Sequence, residues 1–241
     1  MRKYGAVWRL YRRVRGAPSK KRDEELTFWR SRKDAEGTLQ SEHYEAQYTQ
    51  LVGLERSFYA GKDVLDLGCG PRGSLTWMAE ARRRVGLDPL VDDYRALGID
   101  AHPMEYVAGA AEDMPFDDES FDVVTSFNSL DHVDDLDRTI GEIKRVLRPQ
   151  GHVVVAVEVE HQPTWSEPQM LTWEVCRRFE PELEVVEARQ FERGTGFLYD
   201  CAWRGETFDH GDPAPCVGVL IAVLRRAQSE RTAATASSQS E

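Results

Sequence analysis

The stretch Asp63-Val-Leu-Asp-Leu-Gly-Cys-Gly-Pro-Arg-Gly73 constrains this chain most. An apolar run from Val64 to Leu67 stops at Gly68-x-Gly70-x-x-Gly73, and Leu75, Trp77, Met78 and Ala81 follow at helical spacing. Strand, glycine turn and helix in that order form one parallel α/β unit. Glycine reaches positive φ and, lacking a Cβ, lets a ligand approach the backbone closely. The N–H groups at the next helix start can then receive polar atoms. Alone, the pattern serves a dinucleotide fold, another nucleoside-binding fold or a plain structural turn.

The chain beyond it repeats the alternation. Val85-Gly-Leu-Asp88 reads as a second strand ending in an acid, residues 106–110 as a third and Phe121–Phe127 as a fourth. Leu136, Ile140, Ile143, Val146 and Leu147 share one face of a helix that Pro149-Gln-Gly151 stops. His152–Val159 is a β-branched run suited to a central strand buried on both faces. Residues 166–180 read as a further helix, Leu183–Phe191 and Val217–Leu224 as the last strands, and 192–214 as irregular. The expectation is a doubly wound, Rossmann-like α/β fold: a seven-stranded, mostly parallel sheet with helices on both faces and an N-terminal helical extension. Residues 23–35, and Ser41 to about Gly53, supply that extension, with Tyr44 and Tyr48 as candidate lid residues.

Charge divides the chain. Its formal net charge is −11, yet residues 1–33 hold twelve Lys and Arg against Asp23, Glu24 and Glu25. An acidic body argues against a general nucleic-acid binder, and no nucleic-acid partner is expected. Val7, Leu10, Tyr11 and Val14 fall on one face among arginines, so residues 1–16 read as a basic amphipathic arm. Folding back onto the acidic body, or partial order, is its ordinary reading; weak contact with an anionic membrane surface and binding of RNA are the others. Expected boundaries are 1–22 for the arm, 23–60 for the N-terminal helices, 61–226 for the main domain and 227–241 for a disordered tail. Gly16-Ala-Pro-Ser19 reads as a linker. The four cysteines have no C-x-x-C spacing, and no secretory signal or membrane span is legible. Free thiols in the cytoplasm are expected.

Three acids stand at strand ends beside the glycine turn: Asp66, Asp88 and Asp113. Asp88 lies 20 residues after Gly68, where an acid takes ribose hydroxyls in a mononucleotide-binding half. Ionised carboxylates only accept hydrogen bonds, so they suit hydroxyls, an amine or an ammonium and suit a pyrophosphate badly. The ligand class is therefore a cationic nucleoside rather than an anionic dinucleotide. A nicotinamide-dependent reductase is further disfavoured because no Tyr-x-x-x-Lys pair is present.

At residues 64–70, 85–89, 111–116, 121–124 and 146–152 the chain reads VLDLGCG, VGLDP, AEDMPF, FDVV and VLRPQGH. In this order and spacing it resembles the class I S-adenosylmethionine-dependent methyltransferases, of the small-molecule type near the quinone-biosynthesis enzymes. The resemblance covers about residues 55–160. It implies S-adenosyl-L-methionine as cofactor, with Asp66 and Gly68 on its amino group and Gly70 allowing backbone approach. It also implies Asp88 on the ribose, Asp113 on the adenine amine, Met114 against the ring and Asn128 near the methyl donor. Two departures stand out. Arg72-Gly73 alters the usual register of the third glycine, leaving Arg72 either on the surface or reaching for the cofactor carboxylate. Asn128-Ser-Leu-Asp-His-Val133 places an acid where an apolar or small residue is usual.

The implied reaction is methyl transfer to a small-molecule acceptor, an oxygen of a secondary metabolite, sugar or quinone-like compound being favoured. The alternative is an inactive methyltransferase-fold protein acting as a binding or assembly partner. Candidate catalytic residues are His132, His161 and Asp131, since ligands gather at the carboxyl ends of such strands and histidine titrates near neutrality. Trp165, Trp173, Trp203 and Tyr199 are candidates for a substrate floor. His132, His161 and Glu167 lack a local metal-ligand motif, so no metal is expected.

Overall fold

A computed structural model describes residues 17–209 and 217–227. The basic arm over 1–16 and the tail from 228 lie outside the described residues, as does Cys216.

The first strand is β1, Asp63–Leu67, whose five residues are all buried. It pairs in parallel with β2, Arg83–Asp88, and with β4, Phe121–Phe127. β3, Glu105–Ala108, pairs with β2, and β5, Leu147–Val159, with β4, again in parallel. β7, Gly218–Arg226, inserts antiparallel between β5 and β6, Leu183–Glu192, so the order is β3-β2-β1-β4-β5-β7-β6. The chain winds outward from β1 in one direction and then restarts at β4 in the other. That reversal opens a crevice at the carboxyl ends of β1 and β4, where ligands bind in such sheets.

Apolar side chains cover both faces. Helix α4, Leu136–Val146, lays Leu136, Ile140, Ile143 and Val146 against one face with Val153, Val155 and Val157. Its start is fixed by Asp135, whose carboxylate accepts from the Arg138 amide at 3.2 Å, a cap worth about 1 kcal/mol. On the other face Tyr48, Leu51 and Val52 pack with Val64, Val123 and Val154. They belong to helix α2, His43–Tyr48, and the short 3₁₀ turn Gln50–Val52 behind it. Two further one-turn helices are α3, Val91–Tyr94, and α5, Asp200–Arg204. No helix among the described residues is long and apolar enough to cross a membrane.

Helix α1, Ala17–Glu36, starts earlier than the pattern suggested and absorbs the expected Gly16–Ser19 linker from Ala17 onward. Proline is tolerated in the first helical turn, because the amide it lacks has no partner there, so Pro18 does not stop it. The helix expected after the glycine turn does not form. Residues 74–82 instead run as turns, with bonds from the Thr76 amide to Gly73 O and from Met78 to Leu75 O. Length explains this. A helix antiparallel to a five-residue strand needs about 11 residues to span it, and a tighter turn run covers the same distance with fewer. Leu75 and Met78 are still buried. The helix expected over 166–180 shrinks to the 3₁₀ turn Val175–Phe179. Pro163 and Pro168 cannot donate to a helix, and the chain on either side of them is drawn to strand ends: the Glu160 amide donates to Leu171 O, the Gln169 amide to Asp131 O.

Candidate active site

Gly68, Gly70 and Gly73 all adopt positive φ, at 65, 57 and 74°. At Gly68 a Cβ would lie 2.6 Å from Cβ of Ser129, so the turn after β1 and the loop after β4 touch only because the position is bare. At Gly70 the same atom would meet the Trp29 ring at 3.0 Å. The glycine turn therefore seats α1 as well as opening the crevice.

Two cavities flank this turn. The first, about 400 Å³, is lined by Gly68, Asp88, Gly109, Glu112 and Asn128 and is covered by Lys21, Arg22 and Glu25 of α1. The second, about 910 Å³, lies under the rest of α1 and reaches Tyr44, Phe197, Tyr199 and Trp203. Gly68, Asn128 and His132 line both. Asn128 holds a left-handed φ of 49°, which asparagine tolerates better than most residues.

Asp88 ends β2 inside the first cavity. Its carboxylate accepts from the Leu90 amide at 2.9 Å and the Gly70 amide at 3.2 Å, and burial pushes its carboxyl up to about 7. Asp66 is placed otherwise than the resemblance implies. It is 2% exposed and accepts from three hydroxyls, Ser74 at 2.5 Å, Thr125 at 2.6 Å and Tyr48 at 2.9 Å. It lines neither cavity, and burial pushes its carboxyl up to about 6. Its strand position turns it toward the face that α2 covers, so its lone pairs are spent on packing α2 and the glycine turn to the sheet.

Asp113 is also displaced. Its side chain is 84% exposed and lies 3.6 Å from Arg138. β3 stops at Ala108, two residues short of the expected end, which brings Glu112 to the first cavity instead. Glu112 accepts from the amides of Asp134 and Asp135 at 2.7 and 3.2 Å, tying the third and fourth strand ends together. Met114 is buried in the same core cluster as Leu136 and Ile140 and does not line the cavity.

Arg72 neither lies on the surface nor stays free for a carboxylate. Its guanidinium forks onto Glu36 at 2.6 and 2.8 Å and donates to Gln40 O at 2.7 Å. The unusual arginine in the turn is thus a latch for α1, and its odd register was the only trace of this in the sequence. Tyr44 lines the second cavity; Tyr48 is buried and stacks on Phe127 at 4.0 Å. Tyr199 and Trp203 line the second cavity, while Trp165 and Trp173 do not.

The catalytic candidates gather after β4 and β5. His132 Nε2 lies 4.0 Å from Asp131 Oδ1, and His161 Nε2 lies 3.6 Å from Asp131 Oδ2. Glu167, delivered by the unwound 160s loop, approaches His132 Nε2 to 3.9 Å. Burial, followed by Lys21 and His161, lowers His132 to about 4, so it is neutral at physiological pH. Burial, followed by the Glu167 charge, raises Asp131. Glu158 is held by Arg193 at 2.9 Å.

Residues 65–155 match the family model described as a methyltransferase domain. A phthiotriol/phenolphthiotriol dimycocerosates methyltransferase of Mycobacterium leprae is 34% identical over 104 residues, covering 40% of this chain and 38% of that protein. A ubiquinone/menaquinone biosynthesis C-methyltransferase of Idiomarina loihiensis is 37% identical over 109 residues, covering 39% and 42%. The matched part thus spans about two fifths of the length of these relatives. A solved structure described as a putative methyltransferase from Bacillus halodurans shares the fold, with a TM-score of 0.56 and 19% identity over 76% of this chain and 98% of that one. Over residues 65–155 the chain thus matches a methyltransferase domain, on a fold it shares with a solved structure described as a putative methyltransferase.

Proposed function

We propose that this protein transfers the methyl group of S-adenosyl-L-methionine to an oxygen of a small-molecule acceptor, such as a secondary metabolite, a sugar or a quinone-like ring. The observation that carries this reading is the pair of cavities joined at Gly68, Asn128 and His132. The residues present fit the cofactor. The first cavity offers a buried acceptor, Asp88, for ribose hydroxyls and a second acid, Glu112, beyond β3. Gly68 and Gly109 leave its walls bare, and its volume suits a small organic ligand. Asp66 supports the turn from behind.

The cofactor supplies an activated methyl on a sulfonium, so transfer requires alignment and exclusion of water more than strong acid or base chemistry. Asn128 stands where the two cavities meet. Tyr199, Trp203 and Phe197 give the larger cavity an aromatic side suited to a flat acceptor. α1 covers both cavities, so the acceptor enters beside or beneath it. We place the protein in the cytoplasm, a compartment that keeps thiols such as Cys69, Cys176 and Cys201 reduced.

Calorimetry with S-adenosyl-L-methionine tests the reading. Saturable binding is expected, weakened at least tenfold by Asp88→Ala, which is about 1.4 kcal/mol. Absence of binding by folded wild-type protein would overturn it.

A further inference from the structure

One wall of the larger cavity is explained neither by packing nor by cofactor binding. Asp131 and His132 follow β4, and Glu167 faces them from the loop after β5. That loop is fixed in place: the Gln169 amide donates to Asp131 O at 3.1 Å, and its side chain donates to Val133 O at 2.9 Å and Asp134 O at 3.1 Å. Donor atoms of Asp131, His132 and Glu167 all lie within 4.8 Å of one another. His132 Nε2 is 4.0 Å from Asp131 Oδ1 and 3.9 Å from Glu167 Oε1, too far for hydrogen bonds.

The same atoms lack partners. Asp131 is 1% exposed, and its Oδ1, together with Nε2 of His132 and Nε2 of His161, has no hydrogen-bond partner among the described residues. Buried ionisable groups are normally paired or bound to a metal, because removing them from water uncompensated is costly. A point equidistant from three atoms so spaced lies about 2.3 to 2.5 Å from each, a few tenths of an ångström beyond zinc–nitrogen and zinc–oxygen bonds, so small side-chain rotations would close the three donors onto a cation.

We infer that Asp131, His132 and Glu167 form a binding site for a divalent transition-metal cation, with His161 set against the second oxygen of Asp131. Imidazole beside two carboxylates favours Mn²⁺ or Zn²⁺ over Mg²⁺ or Ca²⁺. Two carboxylates match the charge of a dication, and Glu25 offsets the nearby Lys21 ammonium. Three protein ligands leave coordination positions open. His132 and Glu167 both line the larger cavity, so those positions face it. Resting on the transferase reading, the site would hold an oxygen donor of the acceptor beside Asn128.

The test is calorimetric titration of the full chain with MnCl₂ and with ZnCl₂, without S-adenosyl-L-methionine, alongside loss of the free Mn²⁺ paramagnetic resonance signal. One cation per chain is expected. Glu167→Gln and His132→Gln should each weaken binding at least about 10-fold, the lower end of what even an outer-shell change costs. Glu167 is partly exposed and the substitution keeps its volume, so an unchanged circular dichroism spectrum and thermal midpoint are expected. Glu167→Gln should also leave affinity for S-adenosyl-L-methionine unchanged. Absence of saturable binding of either cation by wild type that still binds S-adenosyl-L-methionine would overturn the metal site alone. Metal binding undiminished in both variants would overturn it too. Metal binding without cofactor binding would support the site and overturn the transferase reading.

Discussion

Asp66 and Asp88 sit on neighbouring parallel strands, both buried, and are put to different uses. Asp66 is enclosed by three hydroxyls, whereas Asp88 accepts two amide hydrogens and faces an open cavity. Both carboxyls are raised by burial, so in each the native state holds its proton to higher pH than the unfolded chain does. The sign follows. Each contribution to stability is largest below the unfolded value near 4 and is lost as pH rises through the folded value, about 6 for Asp66 and about 7 for Asp88. Lowered histidines such as His132 oppose this trend, so a difference measurement is needed. Denaturant unfolding of wild type and Asp66→Asn should show the variant gaining stability relative to wild type between about pH 4 and pH 6. A parallel pH dependence for the two proteins would contradict the assignment.

Helix α1 owes its place to a few specific contacts rather than to a broad apolar face. Leu26 is its one fully buried apolar side chain among the described residues, packed with Val91, Tyr94 and Ile99. Trp29 fills the space above Gly70, and Arg72 holds Glu36 through a planar fork. Lysine cannot reproduce that fork. Arg72→Lys and Glu36→Gln should therefore loosen α1 selectively. Limited proteolysis should cut between residues 17 and 40 several-fold faster in either variant, with the thermal midpoint of the sheet lowered by only a few degrees. Equal cleavage rates would show that packing alone seats the helix. The short connection after β1 and the proline-broken connection after β5 act similarly. Each forgoes a regular helix and thereby carries specific side chains, Ser74 to Asp66 and Glu167 to His132.

Across the whole molecule, the cofactor cavity is bounded by the ends of β1, β2, β3 and β4 and covered by α1. A ligand bound there stabilises all of these segments together. Saturation at about 100 times the dissociation constant adds about 2.7 kcal/mol. For a chain of this size that raises the melting temperature by about 5 to 10 °C. Scanning calorimetry with S-adenosyl-L-methionine should show this shift, and Asp88→Ala, bound at least tenfold more weakly, should lose about half of it or more at the same concentration. A shift of equal size in the variant would remove Asp88 from the binding interactions.

Local pattern carried the sheet and its ligand end. Strand periodicity, the glycines at 68, 70 and 73 and the acid closing β2 are all short-range signals, because backbone freedom and burial on both faces leave their mark residue by residue. The resemblance over residues 55–160 likewise rested on strand-end motifs, and the family match falls within it. Other features depended on distance through space. The fate of Asp66 turned on three hydroxyls from three separate segments, and that of Asp113 on a strand ending two residues early. The Arg72 latch needed Glu36, and the Asp131–His132–Glu167 cluster needed a loop whose prolines kept it from becoming a helix. Hydrogen-bond partners far apart in sequence are chosen by packing, and no periodicity records which carboxylate a fold will enclose and which it will leave facing a ligand.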